Sequence, residues 1–243
     1  MWIAALWGGV SGSAVLLGAL AAMSFPIKKR IIGFIMAFGT GVLIGAATYE
    51  LLGESAHSGG LFPTSMGFLI GAVVFTVLDL IVSRKGAHKR KRSAGQDGSP
   101  SGSGFAIFIG TVMDAIPESI IVGASLIENN SVSWLLVIAI FISNIPEGLS
   151  STAGMLKSNI SKKKILVLWM TVLMISAFCS WAGYLFLEDA SEELMAIIAS
   201  FAAGGIITMV GSTMLPEAFE EGGSLVGLIA SVGLLISLIL TRI

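Results

Sequence analysis

The chain has 243 residues, of which 55% are apolar and 30 are glycine, while Asp, Glu, Lys and Arg together supply 12% and the formal net charge is −1. The mean hydropathy is +0.92. A water-soluble domain of this size carries about 25% charged residues, so the composition is that of an integral membrane protein and excludes nucleic-acid binding, a disulfide-built secreted scaffold and disorder.

A bilayer core of about 30 Å takes about 20 apolar residues per helix, and the short alternating strands of a membrane barrel are absent. The apolar runs predict an all-α polytopic protein, one transmembrane domain over 1–243, with eight helices at about 2–25, 31–52, 61–82, 105–126, 134–156, 165–187, 194–216 and 224–241. The first span has no basic stretch before it and Ser24-Phe25-Pro26 is a poor cleavage site, so it reads as a retained helix rather than a signal peptide. Lys28 to Arg30, the basic residues between Arg84 and Arg92, Lys157 and Lys162 to Lys164 fall on one side if both termini are outside, which leaves only Arg242 on the other. By the positive-inside rule this predicts a cell (plasma or inner) membrane protein with its N- and C-termini outside. The one long connection, 84–104, is basic at first and then rich in Gly and Ser, as expected of a flexible cytoplasmic loop. Small-residue faces such as Gly8, Gly12 and Gly18 would allow close packing of helices, including in a homodimer.

Laid over span seven without a gap, span two gives FGTGVLIGAATYELLGESAHSGG against FAAGGIITMVGSTMLPEAFEEGG, with seven of twenty-three positions identical. Among them are Glu54/Glu217 and the pairs Gly59/Gly222 and Gly60/Gly223. The two spans run in opposite directions under the orientation above, which predicts inverted repeats, helices 1–3 and 6–8, in a 3+2+3 arrangement around a central Pro-broken pair, helices 4 and 5. That pair carries Asp114-Ala115-Ile116-Pro117-Glu118 and Ser143-Asn144-Ile145-Pro146-Glu147, twenty-nine residues apart.

An ionised carboxylate near the bilayer centre costs several kcal/mol without a partner. Asp114, Glu118 and Glu147 lie deep in spans four and five, and no Lys or Arg lies within any span. A proton or a bound cation must therefore balance them. Asp114 and Glu118 are four apart and share a helix face, as do Ser143 and Glu147, with Asn144 at the edge of that face. Pro117 and Pro146, the helix-breaking residues, free the carbonyl oxygens of Met113 and Ile142. Two antiparallel helices would thus present an oxygen-rich cage for a divalent metal, with Asp114, Glu118, Ser143, Asn144 and Glu147 as ligands. Glu50 and Glu54 at the outer end of span two, and Glu217 at the inner end of span seven, could mark the two mouths of a pathway. His57 and His88 are isolated in loops and lack the spacing of a zinc site.

Two readings from other classes use the same residues. In a proton-titrating carrier or sensor, Glu118 and Glu147 would titrate without moving metal. An intramembrane carboxylate hydrolase would want two Asp poised as acid and base, and Asp114 is the only Asp deep within a span.

The paired Pro-Glu motifs in helices four and five, with the basic loop after helix three, resemble the ZIP (Zrt/Irt-like) family of metal transporters, of which this chain looks like a divergent, prokaryotic-type member. The resemblance implies eight helices with both ends outside, no enzymatic activity, and no cofactor other than the transported ion. It implies transport of a divalent metal of the zinc, manganese and iron class toward the cytoplasm, through a site between helices four and five. Carried over by position, Glu118 and Glu147 match the family's metal-bridging glutamates and Pro117 and Pro146 its prolines. Asp114 stands where the family has the first His of helix four, Ala115 where it has Asn, and Ser143 where it has the His of helix five. In helix six, where members often carry an acidic residue, Ser180 is the nearest polar group and joins Glu50, Glu54 and Glu217 as a possible pathway residue. These departures leave hard oxygen donors, which suit manganese or magnesium better than imidazole-preferring zinc, and predict a single metal site worked by alternating access.

Overall fold

The structure is a computed structural model that describes residues 2–82, 103–129 and 131–241. The predicted loop 84–104 lies almost wholly outside them, as do His88 and Arg242. The described residues form helices and no strands. In chain order these are α1 (Trp2–Ser24), α2 (Lys29–Ser58), α3 (Leu61–Val82), α4 (Ser103–Asn129), α5 (Trp134–Lys157), α6 (Lys162–Leu187), α7 (residues 192–222) and α8 (Val226–Leu240). Among the described residues, seven helical stretches are long and apolar enough to cross a membrane, the last being the 49-residue run Glu192–Leu240 that contains α7 and α8.

Local chemistry fixes the ends. Ser133, Ser161 and Ser191 cap α5, α6 and α7, each accepting a hydrogen bond from the backbone N–H three residues on. The Gly-Gly pairs shared by spans two and seven have a conformational reason: Gly60 sits at φ +89° and Gly223 at φ +74°, where a side chain is strained. At Gly223 the chain doubles back. Gly59 packs on Ala196 and Gly33 on Gly222, so α7 is antiparallel to α2, whereas Gly41 packs on Ala230 and Gly45 on Ser237, so α8 runs parallel to it.

Two expectations need correcting. α4 and α5 are not broken at Pro117 and Pro146 but continue as single helices of 27 and 24 residues. A proline removes only its own N–H and crowds one carbonyl, and the surrounding helical bonds carry the chain across. The small face of α1 is also occupied within the chain: Gly8 and Gly12 meet Ser180 and Ser176 of α6, and Gly18 meets the Ile145 carbonyl of α5. That face is unavailable for pairing two copies.

Two of the helices change type along their length. Residues Ala46–Gly53 of α2 and Val210–Met214 of α7 are π-helical, and under the repeat alignment the second falls inside the first. Such wide turns are rare and concentrate at functional sites.

The helices pack in two groups. α1 lies against α5 and α6, and α4 against α6; α3 lies against α7, and α2 against α7 and α8. The groups meet where α2 crosses α5. Glycines set the close approaches in matched pairs. Gly41 and Gly233 meet the carbonyls of Ala230 and Phe38, as Gly204 and Gly71 meet those of Phe68 and Phe201. Gly18 and Gly148 meet Ile145 and Val15, as Gly183 and Gly123 meet Ile120 and Ser180. α5 is the most enclosed of the spanning helices, whereas most of α3 is exposed. Trp169 of α6 is fully buried and donates its indole N–H to Thr152 of α5 at 2.8 Å.

Candidate metal site between the central helices

On α4, Thr111, Asp114 and Glu118 follow at intervals of three and four and share one face, and all three are buried. On α5, Ser143, Asn144, Glu147 and Ser150 are buried in the same way. The two faces are joined by a direct bond, in which the Thr111 hydroxyl donates to Glu147 Oε1 at 2.8 Å. Ser143 donates its own proton to the Ile140 carbonyl at 3.0 Å, which leaves its lone pairs as the part that can face a cation. Pro146 is buried beside Glu147, and Pro117 is half-buried beside Glu118.

The predicted set is thus enclosed, but it is not a carboxylate cage. Among the described residues no group of three or more His, Cys, Asp or Glu converges as a metal site. A cation held here would be shared between few carboxylates and several neutral oxygens from Ser, Thr and Asn. All are hard donors of the kind that divalent cations of the magnesium and manganese type accept.

The predicted mouths are placed apart. Glu217 is buried and accepts a hydrogen bond from the Ser150 hydroxyl, one helical turn from Glu147. Glu50 and Glu54 line a cavity of about 100 Å³ at the other end, together with Ser55, Ser58, Ser125 and Ser133. There the Ser133 hydroxyl donates to Glu50 Oε1 at 2.5 Å, while Glu54 is exposed. Ser180 reaches neither: its hydroxyl donates to the Ala4 carbonyl of α1 at 2.7 Å, and its backbone packs on Gly123.

Thr111 and Ser150 were not singled out from the sequence, although spacing could have found them. Thr111 is three before Asp114 and Ser150 three after Glu147, each one turn along the face already identified. Thr111→Val keeps the shape and removes the donor. A hydrogen bond to a charged group is worth about 1.5–3 kcal/mol, so Thr111→Val should lower the thermal stability of the purified protein by about that much, while Thr111→Ser should restore it.

The fold and this site define a polytopic membrane protein with its polar groups gathered between its central helices. Residues 82–241 match the ZIP zinc transporter family, well over half of the chain, and the chain belongs to that family. It is also 25% identical over 220 residues, 89% of its length, to a protein of Arabidopsis thaliana with the curated name "Putative zinc transporter At3g08650". The chain spans about a third (35%) of the length of that relative. Family members are transporters rather than enzymes.

Proposed function

We propose that this protein moves a divalent cation across the cell membrane toward the cytoplasm, through the space between α4 and α5 bounded by Asp114, Glu118, Ser143, Asn144 and Glu147. The observation that carries this reading is the buried Thr111–Glu147 bond. It brings together two helix faces that carry buried carboxylates and neutral oxygens, a set of hard donors that a divalent cation accepts.

The chain crosses the bilayer eight times with both termini outside. The eighth crossing is supported by the reversal at Gly223 and the orientation by the basic residues on one side. Inverted repeats are supported by the matched glycine contacts and the paired π-helical stretches. The site lies within one group, on α5, the helix that α2 of the other group crosses, so rocking of one group against the other exposes it to each side in turn.

The donor set favours hard cations. In proteoliposomes offered zinc, manganese, iron(II) and cobalt in turn, manganese uptake is expected to equal or exceed zinc uptake. A clear preference for zinc over manganese would sink the hard-ligand assignment and leave the transport reading standing.

A further inference from the structure

The matched glycine contacts fix a register between the two halves of the molecule that the Pro-Glu motifs conceal. Gly148 of α5 meets the Val15 carbonyl of α1, and Gly123 of α4 meets the Ser180 carbonyl of α6; Gly18 meets Ile145, and Gly183 meets Ile120. Packing therefore equates Gly123 with Gly148 and Ile120 with Ile145, a shift of twenty-five residues, not the twenty-nine that superposes Pro117 on Pro146. In this register Ser125 of α4 is the counterpart of Ser150 of α5. The alignment of spans two and seven makes Glu54 the counterpart of Glu217. The bonded pair Ser150–Glu217 thus has an image, Ser125–Glu54, at the opposite end of the molecule.

The two pairs are in different states. The Ser150 hydroxyl donates to Glu217, and both residues are buried. Ser125 and Glu54 both line the 100 Å³ cavity. There the Ser125 hydroxyl donates instead to the Val122 carbonyl at 2.8 Å and accepts from the Ser133 N–H at 3.2 Å. One end is latched and the other is open.

We propose that Ser150–Glu217 and Ser125–Glu54 are the two gates of the transport pathway, made in alternation, so that closing one is coupled to opening the other. This deepens the alternating-access reading above and rests on it. Ser150 is three residues from Glu147, about 4.5 Å along the helix axis. A cation leaving Glu147 toward Glu217 must therefore displace the Ser150 hydroxyl, and it finds the Glu217 carboxylate released as it does so. The image pair does the same for a cation on the other side. Two such gates hold equal and opposite bonds, which keeps the two forms close in free energy and lets a bound ion bias them.

The test reads the cavity and not the transport. With the lone cysteine removed (Cys179→Ser) and a reporter placed on its wall (Ala199→Cys), reaction with a membrane-impermeant maleimide measures how often the Glu54 end is open. Ser150→Ala removes one gate and should lower the labelling rate severalfold, as loss of a hydrogen bond to a carboxylate moves the balance between the forms by about tenfold. Ser150→Thr, which keeps the hydroxyl, should label at the unsubstituted rate. Adding Glu54→Ala to Ser150→Ala removes the opposing gate and should restore labelling. No slowing with Ser150→Ala, or slowing that Glu54→Ala does not reverse, overturns the proposal. Manganese and zinc uptake by the reporter protein are measured alongside. Absence of uptake of both defeats the transport reading, whereas uptake with the wrong labelling pattern defeats the gates alone.

Discussion

Glu147→Gln is expected to abolish metal uptake while leaving the protein folded. Glutamine retains a carbonyl oxygen to accept the Thr111 hydroxyl, so the buried bond at 2.8 Å and the packing around it survive. What is lost is one negative charge. At about 4 Å and an effective dielectric of about 20, a pair of unit charges is worth about 4 kcal/mol, or about a thousandfold in affinity, and a dication feels more. Uptake should fall to that of protein-free vesicles, and calorimetry in detergent should find no binding, with the thermal transition of the protein little changed. Glu147→Ala should lose uptake as well, but it also leaves a cavity and an unpaired Thr111 hydroxyl, so it separates the two effects poorly. If Glu147→Gln bound and carried metal as before, Glu147 would not be a metal ligand and the site would have to lie elsewhere.

The second large effect is structural. A Cβ placed on Gly148 would lie 2.2 Å from the Val15 carbonyl oxygen, and one on Gly18 would lie 2.2 Å from that of Ile145. Both obstacles are backbone, which cannot swing aside as a side chain can, so α1 and α5 must separate. Overpacking of even yielding sites costs about 1–3 kcal/mol, and Gly148→Ala should cost at least about 3 kcal/mol. The expected result is loss of the monodisperse peak on gel filtration and of most of the yield. Gly211→Ala provides the contrast, since nothing lies within 4 Å of its added methyl, and it should be recovered at normal yield. Equal recovery of the two variants would contradict the close approach of α1 and α5.

Much of this molecule is legible in its sequence because the bilayer imposes a length. The span expected at 2–25 is the helix Trp2–Ser24, and that expected at 134–156 is Trp134–Lys157. The burial of Asp114, Glu118 and Glu147 follows from their depth in apolar runs and is found. What was not legible turns on rotation about the helix axis. Hydropathy fixes where an apolar helix begins and ends but says little of which way it faces when nearly every side is apolar. Hence Ser180, which looked like a pathway residue, turns toward the backbone of α1, while Thr111 and Ser150 hold the acidic side chains. For the same reason the two Pro-Glu motifs suggest a register of twenty-nine, and only the glycine contacts reveal that packing uses twenty-five. The local chemistry of proline is disruptive, yet one missing N–H does not end a helix whose other backbone bonds run on past it.

The π-helical stretches change what the match between spans two and seven means. A π turn holds one residue more than an α turn, so past each stretch the side chains are rotated relative to those of a regular helix. The two spans align without a gap across both stretches, Ala46–Gly53 and Val210–Met214. Both therefore carry the same rotation to the carboxylate beyond it, Glu54 in one span and Glu217 in the other.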